Sequence, residues 1–231
     1  MSYPVTIVDN FFDKPDLIYH HLKHLEYLPN TGGSYPGERS SQLKEINPQL
    51  FNEFTFRLFG LFYNTCPTTF CLSASFQRIY PFSKEKYSKF NRGWIHTDGK
   101  SAEFGGVLYL NKNPEEDTGT DIYESVTGCY NRDDKADNLK RLLYMNQLGD
   151  RKEEYEQAFD NNNSHYIKTV SVQNRYNRLV LFNGKTCHAA TTFGSNFQVP
   201  RYTLAFFCGG VLLGDGEGGG VAPYIRTSIP G

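Results

Sequence analysis

Apolar positions divide the chain into two textures. Up to about residue 69 they recur at helical spacing: Ile18, Leu22 and Leu25 mark one face after Asp13 and Pro15, and Leu50, Phe51, Phe54, Leu58, Leu61 and Phe62 mark another after Asn47 and Pro48. Asp13 and Asn47 are residue types that cap helix N-termini, and proline is favoured in the first turn, so two helices are predicted here. From residue 70 the runs shorten. FCLSASFQRIYP, GWIHTD, FGGVLYLN, GTDIYES, YIKTVSV, NRLVLFNG and RYTLAFFCGG are rich in β-branched and aromatic residues and are separated by Gly, Pro, Asn and Asp clusters. They predict successive strands, and hence a chain that is mainly β with flanking helices. Between residues 133 and 160, Leu139, Leu142, Leu143, Met145, Tyr155 and Phe159 return to helical spacing, which predicts one or two helices inserted into the sheet order. The glycine-rich segment 209–231 predicts no regular element, with Tyr224 and Ile225 as its docking residues.

Composition narrows the class. A chain of 231 residues with 39% hydrophobic and 15% aromatic content can bury a full core, and the expectation is a single domain: helical support over 1–69, a β core over 70–208, and the tail. A formal net charge of −1 argues against a global nucleic-acid footprint or a polybasic membrane anchor. The first residues lack the basic and apolar regions of a signal peptide, and no later run reaches membrane-spanning length, so a cytoplasmic protein is expected. Five cysteines without a Cys-x-x-Cys pair are expected to be reduced and mostly buried.

The candidate chemistry begins in GWIHTDGK. On a strand, His96 and Asp98 project from one face, two residues apart, and can share a metal. The third ligand of choice is His188, which follows the strand at Leu179–Phe182 and an Asn-Gly turn and opens a new strand. Two histidines and one carboxylate form a facial triad, which holds Fe(II) and leaves adjacent positions open, whereas zinc more often takes a closed tetrahedral set. After Pro200, RYTLAFF places Arg201, Thr203, Ala205 and Phe207 on one face and Tyr202 and Leu204 on the other. A guanidinium inside an apolar barrel calls for an anion, and its fork matches a carboxylate. Tyr109 and Tyr80 carry phenols within reach of the same carboxylate, although buried structural tyrosines are an equal alternative.

These residues, in this order, resemble the Fe(II)- and 2-oxoglutarate-dependent dioxygenases, specifically the prolyl-hydroxylase group. The likeness spans about residues 70–208 and runs through Tyr80-Pro81, His96-x-Asp98, Tyr109-Leu110-Asn111, GTDIYE, NRLVLF, His188 and RYTLAFF. It implies a double-stranded β-helix core (jelly-roll, cupin-like), with His96, Asp98 and His188 as iron ligands. Arg201 would pair with the far carboxylate of 2-oxoglutarate, supported by Thr203, Tyr109 and Tyr80. The implied reaction consumes 2-oxoglutarate and dioxygen and hydroxylates an unactivated C–H bond, of a prolyl or other amino-acid side chain in a peptide or a free amino acid. Nucleic acid is a less favoured partner. Two alternatives stay open: a binding module of the same fold without turnover, and a zinc hydrolase using the same triad. The spacing from His188 to Arg201 is longer than is common in that group, and the insertion at 133–160 occupies what is often only a turn.

Other features have plainer readings. His20 and His24, one helical turn apart, read as a solvated face, and His165 has no evident partner. SKEKYSKFNR, with Lys84, Lys86, Lys89 and Arg92 among aromatics, reads as a solvated loop before it reads as a guide for an acidic partner. Trp94 reads as core. By the resemblance alone, Arg39 in SYPGERS reaches the mouth of the pocket.

Overall fold

The computed structural model describes residues 5–63, 67–99, 101–126 and 134–212. Cys66, Cys129 and the docking residues Tyr224 and Ile225 lie outside the described residues.

Helices come first. Strand β1 (Thr6–Val8) leads to α1 (Pro15–Leu22), then β2 (Glu38–Gln42), the single turn α2 (Leu43–Ile46) and α3 (Pro48–Phe59). At α3 the predicted cap forms: Asn47 Oδ1 accepts from the Leu50 amide at 3.0 Å, with Pro48 in the first helical position. At α1 it does not. The residue before Pro15 is Lys14, which makes no side-chain cap, and the Asp13 carboxylate is instead paired with Arg57 of α3. A cross-helix ion pair has displaced the local cap.

The strands follow: β3 (Thr69–Ile79), β4 (Phe104–Tyr109), β5 (Thr120–Ser125), β6 (Tyr166–Val172), β7 (Leu179–Asn183), β8 (Cys187–Ala190) and β9 (Arg201–Leu212). They form a six-stranded sheet in the order β1-β7-β4-β9-β3-β2 and a three-stranded sheet in the order β6-β5-β8, antiparallel throughout. Three expectations change. GWIHTD is not a strand, because only His96 makes a bridge, to His188. Strand β1 is too short and β2 too polar to carry a strand pattern; they are made by pairing with β7 and β3. The last strand runs four residues past Cys208, to Leu212, because Thr69–Leu72 extends its ladder.

The period of two along the six-stranded sheet separates core from site. Its outer face, with Ala74, Phe76, Phe104, Leu108, Leu181, Leu204 and Phe206, buries against Ile18, Leu22, Phe54, Leu58 and Phe59 of the helices. Its inner face carries registered cross-strand neighbours Arg39, Gln77, Thr203 and Tyr109, and beside them Ile79 opposite Arg201. The inserted helices α4 (Asp134–Tyr144) and α5 (Lys152–Asn163) are present as predicted. Leu139, Leu143, Tyr155 and Phe159 pack with Ile79, Trp94 and Phe193, so the insertion forms part of the wall around the inner face. Trp94 Nε1 donates to the Tyr155 hydroxyl at 2.7 Å, which anchors α5 beside His96. Of the three described cysteines, all free, only Cys208 is buried; Cys71 is exposed and Cys187 half-buried, because each lies near a sheet end where the core thins. No described helix is long and apolar enough to cross a membrane.

Phe54→Ala should cost about 3–5 kcal/mol in chemical denaturation, since it empties the contact between α3 and the outer face. Phe56→Ala, two residues away but 72% exposed, should change stability by less than about 0.5 kcal/mol.

Candidate metal centre

Three residues from two chain segments converge. Residues 93–98 run beside the turn between β7 and β8. The Gly93 amide donates to Ala190 O at 3.0 Å, His96 and His188 exchange backbone hydrogen bonds of 3.1 and 2.9 Å, and the Asp98 amide donates to Gly184 O at 3.0 Å. Glycine is required at 93, where a Cβ would stand 2.6 Å from the Ala190 nitrogen. The paired backbones bring the side chains of His96, Asp98 and His188 together, with their candidate ligand atoms all within 4.8 Å of one another. Asp98 Oδ1 lies 4.0 Å from His96 Nε2 and 3.5 Å from His188 Nε2.

The tautomers suit ligation. His96 Nδ1 is 2.8 Å from Trp94 O, and His188 Nδ1 is 2.9 Å from Thr186 O. A carbonyl can only accept, so each Nδ1 carries the proton and each Nε2 presents its lone pair to the cluster. Burial holds both imidazoles down at about 4, with the neighbouring His188 adding to the effect on His96, so both are neutral at pH 7. Phe182 packs on His188 with ring centroids 4.2 Å apart and fixes its plane. Burial also raises the Asp98 carboxyl, against the opposing charges of His96 and Arg39. Asp98 Oδ2 is buried with no hydrogen-bond partner among the described residues. A Cβ on Gly105 would come within 2.7 Å of it, so the glycine of β4 makes the room that this oxygen occupies. A buried carboxylate oxygen left unpaired beside two imidazole lone pairs is a donor set fitted to a divalent cation, and the residues present therefore fit a metal of the facial-triad kind.

The three candidate ligands face a cavity of about 340 Å³ that Arg39, Gln77, Ile79, Trp94, Lys140 and Arg201 also line. A larger groove of about 460 Å³ lies elsewhere, between α1 and α3, and holds no cluster of metal-ligating side chains among the described residues. Arg201 is buried. Its Nε donates to Thr118 O at 2.7 Å, its guanidinium carbon lies 5.3 Å from the Tyr109 ring centre, and no carboxylate among the described residues pairs with it. Burial lowers its pKa, as expected of a cation without an anion. Tyr109 is fully buried and donates to Thr120 Oγ1 at 2.7 Å, while Thr203 Oγ1 is buried and unpartnered.

Tyr80 is not brought to the site. Ile79 takes the inward position opposite Arg201, so the next side chain turns outward, and Tyr80 is 39% exposed with its phenol in the field of Arg78 and Tyr202. Gln77 stands inward in its place, a position that strand alternation alone would have indicated. Lys140 went unnoticed because a lysine on an amphipathic helix reads as solvated, yet it is buried and paired with Asp137 at 2.8 Å. Arg39 does line the cavity. In the basic loop, Lys86 lies near Glu115 and Asp117, and Lys89 pairs with Asp160, so these charges are met within the chain. His20 and His24 are exposed and join no metal-ligating group.

Helices backing a large antiparallel sheet, with a smaller sheet closing over a His-Asp-His cluster, define a double-stranded β-helix of the kind seen in 2-oxoglutarate oxygenases. HygX from Streptomyces hygroscopicus, solved with nickel and 2-oxoglutarate, is similar at a TM-score of 0.55 and 14% identity, over 89% of this chain and 82% of that one. The same protein with iron bound gives a TM-score of 0.51. A Pseudomonas putida prolyl-4-hydroxylase gives 0.46 at 14% identity, over 92% and 94% of the two chains. At such identity the likeness is one of fold. The sequence model of a family of unknown function, DUF6445, matches residues 1–198, and the chain belongs to that family. No curated protein matches it.

Asp98→Asn should abolish tight binding of Co(II) or Ni(II). It should also stabilise the metal-free protein by on the order of 1 kcal/mol, because a buried unpaired charge is removed. Thermal melts with and without metal check both halves; a variant no more stable than the parent when metal-free would show that Asp98 is not held at a cost.

Proposed function

We propose that this chain, acting as one domain, is an Fe(II)- and 2-oxoglutarate-dependent oxygenase that hydroxylates an unactivated C–H bond. The observation that carries this reading is Arg201, a buried guanidinium without a carboxylate, on the wall of the cavity that the open triad faces. His96, Asp98 and His188 would hold Fe(II), and Arg201 would pair with the carboxylate of 2-oxoglutarate remote from the metal. Thr203, whose hydroxyl has no partner, and Tyr109, which packs on Arg201, would complete that end of the cosubstrate site. Held there, iron would supply the oxidising power for a reaction in which 2-oxoglutarate and dioxygen give succinate and carbon dioxide and one oxygen atom enters the substrate. The chain's own work is to orient and to exclude water, through Ile79, Trp94, Phe182 and Phe193 around the ligands.

The substrate fits the cavity as an amino-acid side chain or a small molecule. HygX has been solved with 2-oxoglutarate and hygromycin B together, which supports a small-molecule use of this fold. The internal pairing of Lys86 and Lys89 weighs against nucleic acid. A hydrolytic use of the triad would leave Arg201 without a purpose.

Anaerobic titration of the metal-free protein with Fe(II) and then 2-oxoglutarate should develop the weak visible charge-transfer band of a chelated 2-oxo acid, saturating at one equivalent. Arg201→Gln should keep iron affinity while weakening 2-oxoglutarate by about tenfold to a hundredfold, the loss of a charge-assisted pair. Iron binding without the band would overturn the reading, and normal 2-oxoglutarate binding by Arg201→Gln would overturn the anchor.

A further inference from the structure

Arg39 is a second cation on the same cavity, half-buried with its Nε enclosed, that the proposed cosubstrate does not use. It comes from β2, at the edge of the six-stranded sheet, and its Cα is registered with Gln77 on the inner face. Its guanidinium carbon sits 3.9 Å from the Tyr35 ring centre and 5.8 Å from that of Phe207, so two aromatic faces hold it in place. Its Nε is buried without a hydrogen-bond partner, and no carboxylate among the described residues pairs with it. Burial pushes its pKa down to about 10, against the charges of Tyr35 and Asp98, so it stays protonated at pH 7. The lysine on the opposite wall differs, because Asp137 already meets Lys140.

Charge balance separates Arg39 from Arg201. If the site works as proposed above, Asp98 and a 2-oxoglutarate dianion together offset Fe(II) and Arg201, and Arg39 is one whole positive charge left over. The two arginines also occupy separate aromatic settings, Arg201 on Tyr109 and Arg39 on Tyr35 and Phe207. Phe207 packs at the Gly105 position that makes room for Asp98 Oδ2, which puts Arg39 on the metal's Asp98 side of the cavity. A guanidinium pre-oriented by stacking and stripped of protein partners is a receptor for an oxyanion that its fork can meet with two oxygens. At about 340 Å³, near the small end of ligand pockets, the cavity suits a compact ligand.

We infer that the primary substrate is a small organic anion, with Arg39 holding its carboxylate or phosphate while the carbon to be oxidised is presented to the metal. The inference rests on the oxygenase reading, and its test is built to fail separately. The Zn(II)-loaded protein, saturated with 2-oxoglutarate, is titrated by calorimetry and ligand-observed NMR with N-acetyl-L-proline and its primary amide, butyrate and butyramide, and glycerol phosphate. At least one acid should bind, and its uncharged amide should bind about tenfold more weakly or worse. Arg39→Gln should abolish that preference, Arg39→Lys should restore part of it, and both should keep 2-oxoglutarate and metal affinity within about twofold, while Arg201→Gln should keep metal affinity and the acid preference but weaken 2-oxoglutarate. Preference for the carboxylates or for the phosphate ester identifies the anion.

Equal binding of acids and amides, or of none, overturns the inference. So does a loss of metal affinity in Arg39→Gln, which would make the residue a counter-charge to Asp98. If wild-type protein fails to bind 2-oxoglutarate, the oxygenase reading falls, and the same titrations on the Zn(II) form alone still decide whether Arg39 binds anions.

Discussion

The reciprocal hydrogen bonds between the backbones of His96 and His188 are the constraint on which the rest of the site depends. They join a segment that is otherwise irregular to the edge of the three-stranded sheet, ninety-two positions away along the chain. With that pairing in place, the Asp98 amide reaches Gly184 and the Gly93 amide reaches Ala190, and three side chains that could otherwise face solvent are turned into one cavity. Each imidazole is then locked through Nδ1 to a nearby carbonyl, so its tautomer is set by backbone atoms. Such a site is preorganised at the level of the main chain.

Around it the protein separates two duties across one sheet. The outer face of the six strands is mainly apolar, with the Arg78–Glu38 pair toward its β2 edge, and carries stability through its contact with α1 and α3. At the inner face lie polar groups without a hydrogen-bond partner among the described residues: Arg39 Nε and Thr203 Oγ1 on the sheet, and Asp98 Oδ2 on the irregular segment 93–98 beside it. Buried groups without partners oppose folding, and a stable outer face allows them to persist. Arg39 and Asp98 line one cavity, where such groups are provision for ligands.

The inserted helices tie the two faces to the opening. Packing of Leu139, Leu143, Tyr155 and Phe159 on Trp94 and Ile79 makes α4 and α5 a wall of the cavity, and Arg141 reaches Ser34 next to Tyr35. That wall and the segment carrying Arg39 thus meet around the mouth. A chain with only a turn in place of these helices would leave His96 far more open to water.

Much of the fold was legible in the sequence because its signals are local. Helix α3 announced itself through Asn47 and Pro48, and the alternation in RYTLAFF separated Arg201 and Thr203 from Tyr202 and Leu204 before any partner strand was known. The order His96, Asp98, His188 likewise pointed to a triad that the tertiary structure assembles. What lay beyond the sequence was decided by pairing between distant segments. Asp13 forms an ion pair rather than a cap, and Tyr80 turns away because Ile79 is registered opposite Arg201. Strand β2 forms through its pairing with β3 and the bridge from Arg39 to Leu28, and so the placement of Arg39 beside His96 and Asp98 had no local pattern to announce it. Sequence periodicity reports which face a side chain takes relative to its neighbours in the chain; which charges are left without a partner is a property of the closed cavity, and only the tertiary structure closes it.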